Sequence, residues 1–288
     1  MKLEQPEEKL SIEQQFDNPD ILELGDKKLE VVDIKPDVQK TEVPTMLVPG
    51  WTATPETFKD NILDLAELNR RVISINAPHG IDVSEQLENI PEAELRKVAA
   101  IAKVLEEKGI DKVDIVAHSE GGLYGTIAAT LYPEKIRNLI LVDPASMIGK
   151  DNPRRLSTAF SMDFLKQGVR SIKDGEARKA VFRLSRESVK AMAKNPMQAV
   201  KQVFAMSDSD IRGMLEKLKK QGVGISVIHA VDDKAFPMER MQEMVNTDQV
   251  DGFYSIKGTH NEILLNHKRC SELADQALSD LEKKQGKS

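Results

Sequence analysis

The chain has 288 residues, 40% of them apolar and 31% charged, with 16 Gly and 13 Pro, a composition that excludes a fibrous or wholly disordered protein. A single cysteine, Cys270, excludes an internal disulfide and reads as structural, and no apolar run approaches membrane-spanning length. The net charge of −6 is unevenly spread: residues 150–220 hold 17 Lys and Arg against 8 Asp and Glu, leaving the remainder at −15 and marking that segment as a separate unit.

Residues 1–18 are polar and read as a loosely attached tail. With no apolar stretch of signal-peptide length there, a cytoplasmic location is expected. Two alternating stretches, 21–24 and 28–34, flank the turn signal Gly25-Asp26 and predict an antiparallel hairpin. From Pro44 the pattern changes to short, β-branched apolar runs at 45–48, 72–75, 113–117, 139–142, 225–229 and 253–256. Such runs suit strands buried on both faces of a parallel sheet. Helical spacing fills the intervals, most clearly over 92–108, where Leu95, Val98, Ala99, Ile101, Ala102 and Leu105 recur before Gly109. The expected architecture is α/β, a mostly parallel, doubly wound sheet.

The interval between 142 and 225 is too long for one crossover. Helical patterns at 156–169, 176–194, 197–206 and 211–220 fill it, the last opened by Ser207 and Asp210 at capping-box spacing. They predict an inserted helical lid over 149–221 that interrupts a core of 19–148 and 222–288, and the lid coincides with the basic region. Its cations read either as an attraction for an anionic substrate or acidic surface or as solvated helix faces. Its Met162, Met192, Met197, Met206 and Met214, with Phe160, Phe164, Phe182 and Phe204, read either as an adaptable pocket lining or as stripes holding helices together.

The strongest chemical signal is Val113-Asp114-Ile115-Val116-Ala117-His118-Ser119-Glu120-Gly121-Gly122, an apolar strand that runs through a small-x-Ser-x-Gly turn into a helix rich in small residues. A chain turning this sharply needs small residues two before and two after the serine, and Ala117 and Gly121 meet that demand. A serine that merely caps a helix would not explain the crowding of small residues. Further on, a carboxylate loop, 230–237, and a histidine turn, 257–262, each follow a strand. A histidine at such a turn can take up and return a proton near neutral pH.

On the elbow, on Ala230-Val231-Asp232-Asp233-Lys234-Ala235-Phe236-Pro237 and on Gly258-Thr259-His260, the sequence resembles the α/β-hydrolase superfamily over roughly residues 20–280. The resemblance implies the chain order nucleophile, acid, histidine: Ser119, Asp233 and His260. Asp232 is the one-residue alternative, and counting from Ala230 and back from Pro237 selects Asp233. The resemblance also implies oxyanion donors at the backbone amides of Glu120 and of Trp51, in Pro49-Gly50-Trp51-Thr52, where Pro49 departs from the family's usual His-Gly pair. Trp51 reads as a wall of an acyl pocket or as an aromatic packed on the core. Of the other histidines, His79 occupies a loop that implies support of the site floor, His118 has no catalytic duty in the family, His229 reads as a satisfied core residue, and His267 falls in a terminal helix.

Relatives that are haloalkane dehalogenases or epoxide hydrolases carry aspartate where this chain has Ser119. No metal site is expected, since no His-x-x-x-His or cysteine cluster has ligand spacing, and no cofactor is implied. Without a phosphate loop or an aromatic-interleaved basic stripe, nucleotide and nucleic acid are not expected partners. The expected function is cleavage of a carboxylic ester of a small-molecule acyl substrate through an acyl-enzyme. The alternatives are C–C bond hydrolysis, thioester or lactone cleavage, acyl transfer, or a non-catalytic ligand receptor. Oligomeric state has no signature in the sequence.

Overall fold

A computed structural model describes residues 9–24, 27–76, 91–245 and 249–286. In chain order, α1 (Ile12–Asp17) precedes β1 (Asp20–Leu24), β2 (Lys27–Ile34), β3 (Thr45–Val48), α2 (Lys59–Glu67), β4 (Val72–Ile75), α3 (Glu92–Glu107), β5 (Val113–His118), α4 (Glu120–Leu131) and β6 (Ile136–Val142). Four helices follow, α5 (Pro153–Ser171), α6 (Gly175–Lys194), α7 (Pro196–Asp208) and α8 (Arg212–Lys220). The chain then closes with β7 (Gly224–Ala230), α9 (Met238–Val245), β8 (Gly252–Ile256), α10 (Glu262–Leu265) and α11 (His267–Gln285).

The eight strands form one sheet in the order β1-β2-β4-β3-β5-β6-β7-β8. Pairing is antiparallel from β1 to β2 and from β2 to β4, and parallel for every other neighbour. Strands β3 to β7 are buried along their whole length apart from Arg137, as β-branched runs without alternation require. Two apolar clusters cover the sheet. One gathers α3, α4 and α8 residues such as Ile101, Ile127 and Leu215, and the other gathers α2 and α11 residues such as Ile62, Leu65 and Leu273. After β3 the chain steps outward to β4 and then crosses back past β3 to β5, so the winding direction reverses between β3 and β5. Their carboxyl ends open the crevice where open α/β sheets bind ligands.

Three expectations are corrected. Residues 12–17 are not loose tail: Ser11 caps α1 in a reciprocal capping box with Gln14, and Phe16 is buried in the cluster on the α2 face, so burial anchors the segment. The pairing of Ser207 with Asp210 as a capping box does not form. Ser207 lies inside α7 with its hydroxyl donating to Phe204 O, and Asp210 alone accepts from the Arg212 amide. Finally, α8 packs on α4 and β7 and buries Leu215 and Leu218 in the sheet cluster. It is a crossover helix of the sheet and not part of an inserted unit, whereas α5, α6 and α7 pack on one another, with α7 also against α3.

A buried charge fixes the last helix to the sheet. Arg70, with no exposed surface, donates to Asp275 Oδ1 at 2.6 Å, to Glu282 Oε1 at 3.1 Å and to Ser279 Oγ at 3.2 Å, all on α11. A guanidinium taken out of water is tolerated only when its donors are filled in this way. Arg70→Ala should therefore destabilise the fold by about 3 kcal/mol, the low end for breaking a buried pair because the acidic partners retain some solvent access. Urea denaturation checks this, with Lys9→Ala, whose partner Asp37 is exposed, expected to leave the midpoint unchanged.

Candidate active site

At the end of β5 the chain turns through Ser119 at φ 54°, ψ −120°, a left-handed conformation that a non-glycine residue adopts only when its surroundings enforce it. The enforcement is visible. Ser119 N donates to Val142 O on the neighbouring strand, while Ser119 O accepts from Gly122 N and Ala145 N, each at 2.9 Å. A Cβ at Gly121 would stand 2.6 Å from Val48 O and 2.8 Å from Pro49 O, and one at Gly122 would stand 2.8 Å from Pro144 Cβ. Ala117 is wholly buried, and only 3.3 Å separates its Cβ from a Cβ built at Gly125. The small residues therefore let α4 start hard against β3 and β6, with the Ser119 hydroxyl at the crevice.

The three side chains singled out in the sequence meet there. Ser119 Oγ lies 2.9 Å from His260 Nε2, and His260 Nδ1 lies 2.8 Å from Asp233 Oδ2. The remaining Asp233 oxygen accepts from the amides of Ala235 at 2.7 Å and Phe236 at 3.0 Å, so this carboxylate is held at both ends. Asp232 is exposed and its amide donates to Gly258 O at 2.9 Å, which ties the acid loop to the histidine turn. Gly258 is needed at φ 149°, since a Cβ would collide with the Glu262 side chain.

Burial is the largest influence on His260 and disfavours its charged form. The charge of Asp233 and its hydrogen bond, aided by Asp143 and Asp163, outweigh burial and raise the imidazole pKa above its ordinary value. Burial likewise works against the Asp233 carboxylate, but the opposing charge and hydrogen bond of His260 bring its pKa below the usual value. The pair is thus arranged to share an imidazolium charge when one forms. His118 behaves oppositely. Burial first, and then the neighbouring His260, push it down to about 3, so it is neutral, and its Nε2–H donates to His260 O at 3.1 Å. His118 fixes the backbone of the catalytic candidate, a contact that its sequence position gave no means of reading.

Gly50 brings the other loop against the elbow: a Cβ there would lie 3.0 Å from Ser119 Cβ and 3.1 Å from His118 O. The Tyr124 hydroxyl, one turn into α4, donates to Pro49 O at 2.7 Å. That bond anchors the Pro49 carbonyl, while its nitrogen has no hydrogen to give. Beneath it Lys97 lies 4.8 Å from the centre of the Tyr124 ring and 2.6 Å from Glu120 Oε1. Its other neighbour is Glu94, whose carboxyl burial pushes well above the usual range. Neither the Trp51 nor the Glu120 backbone amide donates to a protein acceptor among the described residues.

A cavity of about 580 Å³ opens over Ser119 and His260, walled by Trp51, Phe58, Phe160, Leu184, Met192 and Leu264. Trp51 packs against the sheet cluster and lines the cavity, stacking on Phe160 at 5.9 Å and donating from Nε1 to Ala199 O. The helices α5 to α7 cover this end of the sheet through polar contacts: Thr52 Oγ1 lies 2.8 Å from Ser188 Oγ, Asn261 donates to Gln167, Gln167 to Thr259, and Arg170 pairs with Glu262. Asp163 of α5 and Asp143 after β6 are the buried acids that the sequence reading missed. Asp143 accepts from Ala230 N at 2.7 Å and lies 2.9 Å from His229 Nδ1. Nothing in a lone Asp-Pro after a strand, or an Asp amid helical spacing, distinguishes such residues beforehand.

His118, Asp143 and His260, or Asp143, His229 and Asp233, bring donor atoms within 4.8 Å of one another among the described residues. Both sets draw on His260 or Asp233, which already bond each other, and His260 also bonds Ser119. His267 pairs with Asp64 on α2, away from this site, and burial pushes the Cys270 thiol up, out of reactive range. His79 lies outside the described residues.

Comparison with known proteins bears on the family and the fold. The chain is 23% identical over 258 residues to a putative non-heme haloperoxidase of Mycobacterium phage D29, covering 84% of this chain and 89% of that one. It is 25% identical over 179 residues to a 2-hydroxy-6-oxo-2,4-heptadienoate hydrolase of Pseudomonas putida, covering 54% and 60%. The solved structure of an esterase from Exiguobacterium antarcticum superposes with a TM-score of 0.67 at 16% identity, covering 92% of this chain and all of that one. With the alpha/beta hydrolase fold model matching residues 44–245, this chain belongs to the alpha/beta hydrolase family.

Proposed function

We propose that the protein is a serine hydrolase cleaving carboxylic esters, with Ser119 as nucleophile, His260 as general base and Asp233 as the acid that orients it. The observation that carries this reading is the hydrogen-bond chain from Ser119 Oγ through both nitrogens of His260 to Asp233 at the floor of an apolar cavity. Ser119 Oγ would attack the ester carbonyl carbon as its proton passes to His260 Nε2. The negative charge that develops on the carbonyl oxygen would rest on the Trp51 and Glu120 amides. Collapse would expel the alcohol, which takes the proton from His260 and leaves an acyl group on Ser119. Water, losing a proton to His260, would then release the acid and restore the serine.

Among the described residues the lining of the cavity contains no Lys, Arg, Asp or Glu, which favours an uncharged acyl group. A substrate with its own carboxylate, such as a heptadienoate, would enter without a fixed cation to offset its desolvation. This supports ester cleavage over C–C bond hydrolysis, which the same three side chains could also perform. In this reading α5 to α7 act as a lid over the acyl pocket.

Turnover of p-nitrophenyl esters tests the proposal. Ser119→Ala should abolish turnover and fluorophosphonate labelling, and Asp233→Asn should lower kcat by roughly 10³–10⁴-fold with Asp232→Asn close to the parent; the reverse ranking would overturn the assignment of the acid. Because His260 must be neutral to accept the serine proton and its pKa is raised, activity should fall as pH drops through a value above 6.5. Asp163→Asn removes one charge that favours the imidazolium, so its acid limb should move to lower pH in a kcat/KM profile. Tyr124→Phe, which frees the Pro49 carbonyl, should lower kcat by about tenfold, as expected for one misplaced hydrogen bond in the transition state, with KM nearly unchanged.

A further inference from the structure

Of the 15 exposed large apolar residues described, ten lie on α5, α6 and α7, and an eleventh, Ile172, caps the end of α5. Neither expectation for these helices accounts for them, because Leu165, Val169, Ile172, Phe182 and Val189 are 66–76% exposed and so neither bind helices together nor sit wholly in a pocket. On α5 the buried positions Leu156, Ala159, Asp163 and Gln167 form one face, and Leu165, Val169 and Ile172 lie on the opposite side at helical spacing. On α6 the buried face runs through Ala177, Ala180 and Leu184, leaving Phe182 and Val189, seven residues apart, turned outward. The two helices pack on each other and only residues 172–174 join them, so they run antiparallel with Leu165 and Phe182 at neighbouring heights. Leu165 and Val189 also line the cavity, which makes the exposed patch continuous with its mouth.

Cations frame this patch. Lys166 follows Leu165, Lys173 follows Ile172, and Arg178 stands one turn before Phe182. All three are exposed and make no ion pair among the described residues, whereas the nearby acids are engaged: Glu176 by Lys179 and Asp174 by the first amides of α6. An apolar helix face bordered by free lysine and arginine is complementary to an anionic lipid surface, where apolar side chains enter the acyl boundary and cations meet headgroups. A second copy of the chain fits less well, since a two-fold contact would set these like charges against one another.

We propose that the outer face of the α5–α6 hairpin docks on an anionic lipid bilayer, with the cavity mouth opening onto the lipid. Resting on the reading of the cavity as an ester site, this names its substrate class as an uncharged lipid ester drawn from the membrane. Flotation of the Ser119→Ala protein with vesicles tests docking without turnover. The protein should float with vesicles of phosphatidylcholine and phosphatidylserine and remain behind with phosphatidylcholine alone. Val169→Ser/Ile172→Ser/Phe182→Ser and, separately, Lys166→Glu/Lys173→Glu should each reduce the bound fraction by roughly tenfold or more. With Ser119 intact, both variants should retain the parent's turnover of a short soluble ester, which shows that they fold. No flotation, or flotation indifferent to both variants, overturns the docking surface. A dimer in sedimentation velocity that dissociates in the triple variant, without vesicle binding, assigns the face to a second copy and overturns it equally. Ester turnover by the parent separates these failures from failure of the hydrolase reading.

Discussion

The left-handed backbone at Ser119 is the constraint on which the rest of the site depends. A residue at φ 54° costs on the order of 1–3 kcal/mol unless its neighbours make every alternative worse. Here two strands and a helix do so: Val142 and Ala145 hold its backbone from one side, and β3 presses on the missing Cβ of Gly121 from the other. The strain is local, whereas the means of sustaining it are distributed through the central sheet. That is why small residues recur through 117–125, and why an apolar strand must come before them.

What was legible in the sequence follows from where physics leaves local marks. The buried strands of the parallel sheet announce themselves as β-branched runs, and 45–48 and 72–75 match the observed strands at both ends. The elbow is legible because crowding dictates composition at adjacent positions. Asp233 and His260 were reachable only through the resemblance, because they lie far apart in sequence and converge on Ser119 through the sheet order. The contributions of Asp143, Asp163 and His118 were illegible for a related reason. Each acts through burial and a contact many residues away, and short-range spacing records neither. The helix at 12–17 was hidden by its brevity, with one buried phenylalanine among polar neighbours.

Electrostatics at the site are graded by depth and partner. Three buried histidines occupy one region, yet His118 is held neutral while His229 and His260 are raised. Burial opposes charge in all three. The difference is that His229 and His260 each pair with a carboxylate, Asp143 and Asp233 respectively, whereas the hydrogen bond of His118 goes to the His260 carbonyl. A similar division holds beneath the loop of residues 49–52, where Lys97 has two acids within reach and pairs closely with Glu120.

The contacts between α5 and the histidine turn reach into how such a molecule can be altered. Gln167 bridges Thr259 and Asn261 on either side of His260, and Arg170 holds Glu262 at the close approach that Gly258 permits. The segment that shapes the cavity therefore also positions His260, so in the proposed hydrolase selectivity and rate would not be independently adjustable. A chimaera that receives a relative's inserted helices would inherit their pocket but lose the partners of its own histidine turn, unless residues 258–262 were transplanted with them.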